Sequence, residues 1–153
     1  MHRFVVSSRL AAAPAEVWAR VSTFDGVNDE LWPVVRMSVP RGGAVLAAGA
    51  LGRSWLLLGG VLPLDYDDLV LEEVQPGCGF RERSRLGSAS AWWHDRTLLP
   101  LPGGGCRVVD EVAFAPRVAA LGGLQAFAFE ATFRWRHRRL RRRFGRAGGG
   151  ARR

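Results

Sequence analysis

The sequence predicts an α+β domain, in which a curved antiparallel sheet of seven strands wraps around a long C-terminal helix and two short helices follow the first strand. Residues 119–144 are the only segment long and periodic enough for a major helix, and its aromatic stripe requires a broad apolar surface to pack against. Most of the remaining chain consists of short alternating runs separated by glycine and proline, as in strands that pair with their sequence neighbours. With 153 residues and 48% apolar content, the chain can bury the core of one domain.

The first forty residues predict one strand, two short helices and a second strand. Residues 3–10 alternate in polarity, as a strand does. Pro14 suits the first turn of a helix, and Glu16 complements the helix dipole at that end. A second short helix ends at Leu31, because Trp32-Pro33 disfavours its continuation. Residues 34–39 then predict the second strand, which is followed by a loop.

Five further strands are predicted as a meander, at residues 51–58, 64–74, 80–86, 90–99 and 107–114. Short turns rich in glycine and proline separate them, at residues 59–60, 76–77, 87–88 and 102–105. Because strands joined by short turns pair as antiparallel neighbours, we expect all of them in one sheet.

The last helix has two different faces when its residues are placed 100° apart. The face predicted to pack on the sheet contains Leu121, Gln125, Ala128, Phe129, Thr132, Phe133, His137, Leu140 and Phe144. The opposite face contains Glu130, Arg134, Arg138 and Arg141. The helix ends at Gly145, so residues 1–145 are predicted to form a single domain and residues 146–153 an arginine- and glycine-rich, disordered tail.

Positive charge is concentrated at the C-terminal end. All 22 basic residues are arginine, and ten of them lie between Arg134 and Arg153, where no acid occurs. The remaining chain has twelve arginines and fourteen acids, so the formal net charge of +8 belongs to the helix end and the tail. A solvated helix face is the usual explanation, and contact with an anionic membrane or a nucleic acid is the alternative. Arg134, Arg138, Arg141 and Arg142 share a face without an expected aromatic platform, so we expect no specific nucleic-acid binding.

The chain is predicted to be cytoplasmic and without disulfides. No apolar run reaches the length of a membrane span, and the first residues lead into a strand without the apolar core of a signal peptide. Cys78 and Cys106 begin two strands that are separated by a third, which is too far apart for a disulfide. Nothing in the pattern indicates a cofactor or an oligomeric state.

Several segments resemble the START-like, or SRPBCC, superfamily. Residues 7–18 read SSRLAAAPAEVW, which is similar to that superfamily's first strand and helix start, and residues 24–33, 93–96 and 136–140 resemble its bacterial members. The resemblance covers nearly the whole chain. It implies the helix-grip fold and a hydrophobic cavity between helix and sheet. Members include polyketide cyclases and dehydratases as well as lipid carriers, so the resemblance implies binding of a small apolar or aromatic molecule.

Strand register predicts charged pairs on the inner face of the sheet. If tight hairpins are centred on residues 87–88 and 103–104, Glu82 lies near His94 and Arg96 lies near Asp110. These pairs would orient a ligand, or Glu82 and His94 would act as acid and base. A slip of one residue in either hairpin would instead place them in a salt-bridge ladder on the outer face.

The candidate ligand-binding residues are the predicted charged pairs and nearby aromatic residues. They are Trp55, Tyr66, Glu82, Trp92, His94, Arg96, Asp110, Phe129 and Phe133. The six tryptophans suit an aromatic-lined pocket, with core packing as the alternative for each of them. The acidic cluster around Tyr66 would line the pocket mouth or, as we favour, solvate an edge and pair with Arg53.

The sequence contains no recognisable nucleophile motif, metal-ligand spacing or phosphate-binding loop. His137 is expected to be a histidine of the core or its rim. Three functions remain open. We favour a carrier or sensor of a small hydrophobic molecule, followed by an enzyme of the cyclase/dehydratase type with His94 or Glu82 as acid or base. The third is a surface for anionic partners at the arginine-rich helix end.

Overall fold

The computed structural model describes residues 1–148. The elements in chain order are β1 (His2–Leu10), α1 (Pro14–Val21), α2 (Phe24–Leu31), β2 (Val35–Met37), β3 (Gly49–Leu58), β4 (Leu62–Gln75), β5 (Gly79–Leu86), β6 (Ala89–Pro100), β7 (Cys106–Pro116) and α3 (Gly122–Phe144). A single 3-10 turn at Ala119–Leu121 precedes α3.

All seven strands form one antiparallel sheet in the order β1-β7-β6-β5-β4-β3-β2. Strands β2 to β7 are neighbours in sequence order, while β1 pairs with the outer edge of β7. The sheet curls around α3, and α1 and α2 follow the first strand. The predicted α+β fold class is therefore confirmed.

Two element boundaries differ from the predictions. Strand β2 has only three residues, although Ser38 still donates its backbone N–H to Trp55. Helix α3 begins at Gly122, where a Cβ atom would lie 2.5 Å from the ring of His2, so a small residue is required at this crossing. Leu121 precedes the helix and is 49% exposed, which corrects its prediction as a buried residue.

The predicted phase of α3 is confirmed at its centre and end. Phe133, His137 and Leu140 are buried against the sheet, whereas Arg134 and Arg138 are exposed. Phe133 packs with Phe4, Trp92, Val112 and Phe114 in one core cluster, and Leu140 packs with Leu10, Val17, Leu98 and Val108 in another. Burial of two large apolar side chains thus fixes the helix on the sheet.

The predicted inward phase of β5, β6 and β7 is also confirmed. Glu82 lies opposite His94 and Arg96 lies opposite Asp110 in the sheet register. All four side chains are buried, with at most 5% of each residue exposed. The alternative of a ladder on the outer face is therefore excluded for these pairs.

The two cysteines are not bonded to each other, and the first residues after α3 contact β1. Cys78 and Cys106 are free thiols, as predicted, with β6 between β5 and β7. Arg146 forms an isolated bridge with Leu10, and Ala147 donates its N–H to Arg9. The predicted disordered tail includes residues 149–153, which lie outside the described residues. Within residues 1–148, no helix has the length and apolar character needed to cross a membrane.

Candidate functional site

A cavity of about 190 Å³ lies between α3 and the inner face of the sheet. Its apolar walls come from α2, the central strands and α3, and they include Val27, Leu31, Leu69, Leu71, Phe80 and Phe129. Leu64 and Ala128 both line the cavity and are exposed, so the opening lies between the start of β4 and the middle of α3. Four charged or titratable side chains also line it: Asp67, Glu82, His94 and Arg136.

Five of the nine predicted ligand-binding residues line this cavity. Glu82, Trp92 and His94 reach it from β5 and β6, and Phe129 and Phe133 reach it from α3. The aromatic rings form one contact group: Trp92 and Phe129 have centroids 5.1 Å apart, and the Phe133 and His94 rings are 4.9 Å apart. Their role in binding remains a prediction.

Trp55 and Tyr66 were placed wrongly at the cavity. Ser54 and Leu56 on β3 are directed inward, so the alternation of the strand directs Trp55 to the outer face, where it is 45% exposed. Its cross-strand partner Tyr66 packs edge-on against it, with centroids 5.7 Å apart. The Arg53 guanidinium lies 3.8 Å from the centroid of the Tyr66 ring. These residues form a cross-strand cluster outside the cavity.

The tryptophans do not form a shared pocket lining. Trp92 is the only one of the six among the residues that line the cavity. Trp32 is 50% exposed, and Trp135 donates its indole N–H to the backbone carbonyl of Trp32 over 3.0 Å. The count of tryptophans was therefore a poor indicator of the lining.

His94 is held between two carboxylates. Its Nδ1 lies 3.2 Å from Glu82 Oε2, and its Nε2 lies 2.9 Å from Asp110 Oδ1. Burial opposes the charged form, but hydrogen bonds and charges from Asp110 and Glu82 outweigh it and raise the pKa of His94. Since a carboxylate only accepts hydrogen bonds, this arrangement favours the imidazolium form, in which both ring nitrogens donate.

Arg96 and Asp110 lie buried behind His94 and are not among the cavity-lining residues. The Arg96 side chain is fully buried and forms two contacts of 2.7 Å with Asp110. It also forms two contacts, of 2.8 and 2.9 Å, with Glu30 of α2. Burial would raise the pKa of Asp110, but the charge of Arg96 and its hydrogen bonds hold that pKa well below the usual range.

Glu30 connects three parts of the fold. Besides its contacts to Arg96 on β6, it accepts a hydrogen bond of 3.0 Å from Arg136 Nε on α3. Burial raises the pKa of Glu30, yet the charges of Arg96 and Arg136 outweigh burial and lower it. Sequence reasoning missed Glu30 and Arg136, although Glu30 follows Val27 by three residues on an otherwise apolar helix face, and Arg136 borders the stripe that contains Phe133.

His137 extends the same network to β1. Its Nε2 lies 2.8 Å from Asp110 Oδ2, and its Nδ1 lies 2.8 Å from the hydroxyl of Ser8. Arg141 donates to that hydroxyl over 2.6 Å, so Ser8 of β1 contacts two side chains of α3. His137 is a core histidine, as predicted. Arg141 is half-buried, which corrects its assignment to the exposed face.

Asp67 and Glu82 are two carboxyl groups in the lining of the cavity. Both residues are 5% exposed. Burial raises the pKa of Asp67 well above its usual range and the charge of Glu82 raises it further, which favours the protonated form of Asp67. Sequence reasoning favoured a solvated edge for this acidic cluster. That holds for Asp68, which pairs with Arg53 at 2.7 Å, but the alternation of Asp67 with Leu69 and Leu71 indicates its inward direction.

The structure also corrects the expected lack of an aromatic platform on α3. The guanidinium groups of Arg138 and Arg142 each lie 5.9 Å from the centroid of the Trp135 ring. Arg139 and Arg143 instead pair with Asp29. No group of three or more metal-ligating side chains occurs within residues 1–148.

The sheet, the long helix and the enclosed cavity define a protein of START-like fold, which confirms the resemblance seen in the sequence at the level of fold. The chain belongs to the family described as "Domain of unknown function (DUF8410)", whose profile matches residues 8–144. No curated protein matches the sequence.

Solved structures share this fold at low sequence identity. Protein CV1439 from Chromobacterium violaceum is 15% identical, with a TM-score of 0.75 over 96% of this chain and 100% of that chain. A START superfamily protein from Mycobacterium smegmatis is 11% identical, with a TM-score of 0.69 over 94% and 97% of the two chains. DynU16, from the dynemicin biosynthetic locus, is 16% identical, with a TM-score of 0.62 over 95% of this chain and 49% of that chain. At these identities the likeness concerns the fold alone.

Proposed function

We propose that the protein binds and carries a compact, mainly apolar small molecule in the cavity between α3 and the sheet. The observation that carries this proposal is the composition of the lining, in which apolar side chains surround a few polar groups supplied by Asp67, Glu82, His94 and Arg136. Ligand sites commonly combine apolar walls with a small number of orienting polar groups. The volume of 190 Å³ is somewhat larger than an engineered cavity of about 150 Å³ that holds benzene, so a single substituted ring fits.

Binding of ethylbenzene, measured by ligand-observed NMR, tests this proposal. Ala128 lies at the opening, whereas Ala131 is exposed on the same helix and does not line the cavity. Ala128→Phe should obstruct the opening and reduce binding or slow exchange, while Ala131→Phe should behave as wild type. Equal binding by both variants would contradict entry through this opening, and no binding by the wild type would contradict the proposed function.

In the alternative function, an enzyme of the cyclase/dehydratase type, His94 is no longer the expected acid or base. An acid or base must reach the reacting group, but both ring nitrogens of His94 are occupied by carboxylates. Within the cavity, the Asp67–Glu82 pair is better placed to exchange a proton with a bound molecule. An enzyme of the cyclase/dehydratase type would therefore use this pair, with His94 as a positioning residue. Loss of turnover with retained binding in Asp67→Asn would identify such an enzyme.

A second candidate function is contact with an anionic lipid surface through the outer face of α3. Leu124 and Phe127 are 68% and 73% exposed, and Trp135, Arg138 and Arg142 continue this face toward the helix end. Neither Arg138 nor Arg142 contacts a carboxylate within the described residues. Apolar side chains, an indole and arginines on one helix face are typical of binding at the membrane interface, whereas a nucleic acid has no use for Leu124 and Phe127.

A further inference from the structure

The polar end of the cavity contains two carboxyl groups with unused acceptor capacity. Asp67 Oδ1 and Glu82 Oε1 are buried, and neither receives a hydrogen bond from a donor group among residues 1–148. Each carboxyl oxygen can accept two hydrogen bonds, so the pair remains under-satisfied. Such a site fits a partner that donates more than one hydrogen bond.

The buried carboxyl groups at and behind the polar end of the cavity outnumber the buried cations by one. The four carboxyl groups are those of Glu30, Asp67, Glu82 and Asp110, and three cations face them, namely His94, Arg96 and Arg136. His137 contacts Asp110 and Ser8 and does not line the cavity. The raised pKa of Asp67 favours a proton there, and this proton takes the place of a fourth cation.

We propose that the cavity takes a compact apolar molecule with a single ammonium group, which donates hydrogen bonds to the unpartnered oxygens of Asp67 and Glu82. The inference rests on the proposed function and assigns the chemical class of its ligand. Asp67 releases its proton to solvent, and the ammonium N–H groups donate to the oxygens of Asp67 and Glu82. No covalent bond changes, and the total charge of the site stays the same.

The charged groups around the pair are compatible with this exchange. His94 and Arg136 are the two cations that line the same cavity, but each is already engaged by carboxylates. Arg136 is bound to Glu30 and lies 4.8 Å from the centroid of the Phe133 ring. Asp68 adds a weaker negative charge near Asp67, and Ser84 Oγ accepts a hydrogen bond of 3.1 Å from the backbone N–H of Val70. The lining also contains aromatic side chains, and aromatic rings attract ammonium groups.

Ethylbenzene and benzylamine test the inference, because they have the same number of non-hydrogen atoms and differ in the ammonium group. Calorimetry in two buffers of different ionisation enthalpy counts the protons released on binding. We expect benzylamine to release about one proton, and its affinity to rise about tenfold per pH unit while Asp67 is protonated and the amine is charged. Ethylbenzene should bind without releasing a proton.

Asp67→Asn provides the matched variant, since the amide keeps the shape of Asp67 and can donate to Glu82 in place of the proton. We expect it to bind benzylamine about 10- to 100-fold more weakly than wild type does, and without releasing a proton. Asp68→Asn, on the neighbouring exposed residue, should bind both as wild type does. Ethylbenzene binding without tighter or proton-coupled benzylamine binding would overturn the ammonium assignment and leave the proposed function intact. Failure of both probes to bind would overturn the proposed function itself.

Discussion

Replacement of Arg96 by methionine should be among the most damaging single substitutions in this protein. Arg96 neutralises two buried carboxylates, Glu30 and Asp110, through four contacts of 2.7–2.9 Å. Methionine fills a similar space but leaves both carboxylates buried without this cation. Removal of one partner of a buried ion pair typically costs about 3–5 kcal/mol, and we expect a loss of at least this order in the free energy of unfolding at pH 7.

The pH dependence of the loss distinguishes an electrostatic cause from a packing defect. In the wild type the pKa values of Glu30 and Asp110 are lowered, so their stabilisation is present at neutral pH and is lost as pH falls below about 4. Without Arg96, burial raises both pKa values. The variant should then lose stability as pH rises from about 5 to 7, which is opposite in sign to the effect of these groups in the wild type.

Urea denaturation at pH 5 and pH 7 measures both effects. Arg81→Met is the control, because Arg81 is exposed on β5 and lies 3.5 Å from the exposed Glu73. The control should change stability by less than about 0.5 kcal/mol at either pH. Similar midpoints for Arg96→Met and Arg81→Met, or a loss that is the same at both pH values, would refute the proposed role of the buried network.

Four further predictions concern α3, nucleic-acid binding and the carboxyl groups of the cavity. Phe133→Ala should cost about 3–5 kcal/mol of stability and Arg138→Ala under about 0.5 kcal/mol in urea denaturation, and comparable midpoints would contradict the burial of this helix face. The double variant Arg138→Ala/Arg142→Ala should bind phosphatidylglycerol-containing vesicles more weakly than wild type in sedimentation, by about 1 kcal/mol per arginine at low salt, and equal binding would exclude this surface. Nucleic-acid binding should be weak, insensitive to sequence and lost near physiological salt, whereas tight sequence-selective binding in a filter assay would overturn the carrier proposal. In an infrared difference spectrum near pH 7, Asp67→Asn should remove the band of a protonated carboxyl, and its absence from the wild type would contradict the protonation of Asp67.

The sequence was sufficient to predict the order of the last five strands and the inner face of the last three. Arg81, Arg83 and Arg85 alternate with Glu82 and Ser84, and the glycine-rich turns fix how adjacent strands pair. Local pattern and turn geometry are both short-range properties, so they can be read without knowing the fold. For that reason the Glu82–His94 and Arg96–Asp110 pairs were predicted correctly.

The remainder of the network could not be predicted in the same way. Glu30 meets Arg96 across 66 positions of sequence and Arg136 across 106, and only the packing of α2 and α3 on the sheet brings them together. On β3 the pattern was misleading, because the inward residue is Ser54, which donates to the carbonyl of Ser38, and the outward residue is Trp55. A polar side chain can be buried when a backbone group forms a hydrogen bond with it. The apolar residues of a strand therefore do not always mark its inner face.

Intermolecular NOEs between ethylbenzene and the protein test the central claim most directly. The account predicts NOEs from the bound molecule to the indole ring of Trp92 and to the ring of Phe129, both of which line the cavity. It also predicts no NOE to Trp55 or Trp93, which are not among the lining residues and serve as internal controls in the same spectrum. NOEs to Trp55 or Trp93 alone would contradict a ligand cavity between α3 and the sheet. The absence of any NOE at a saturating ethylbenzene concentration would contradict it as well.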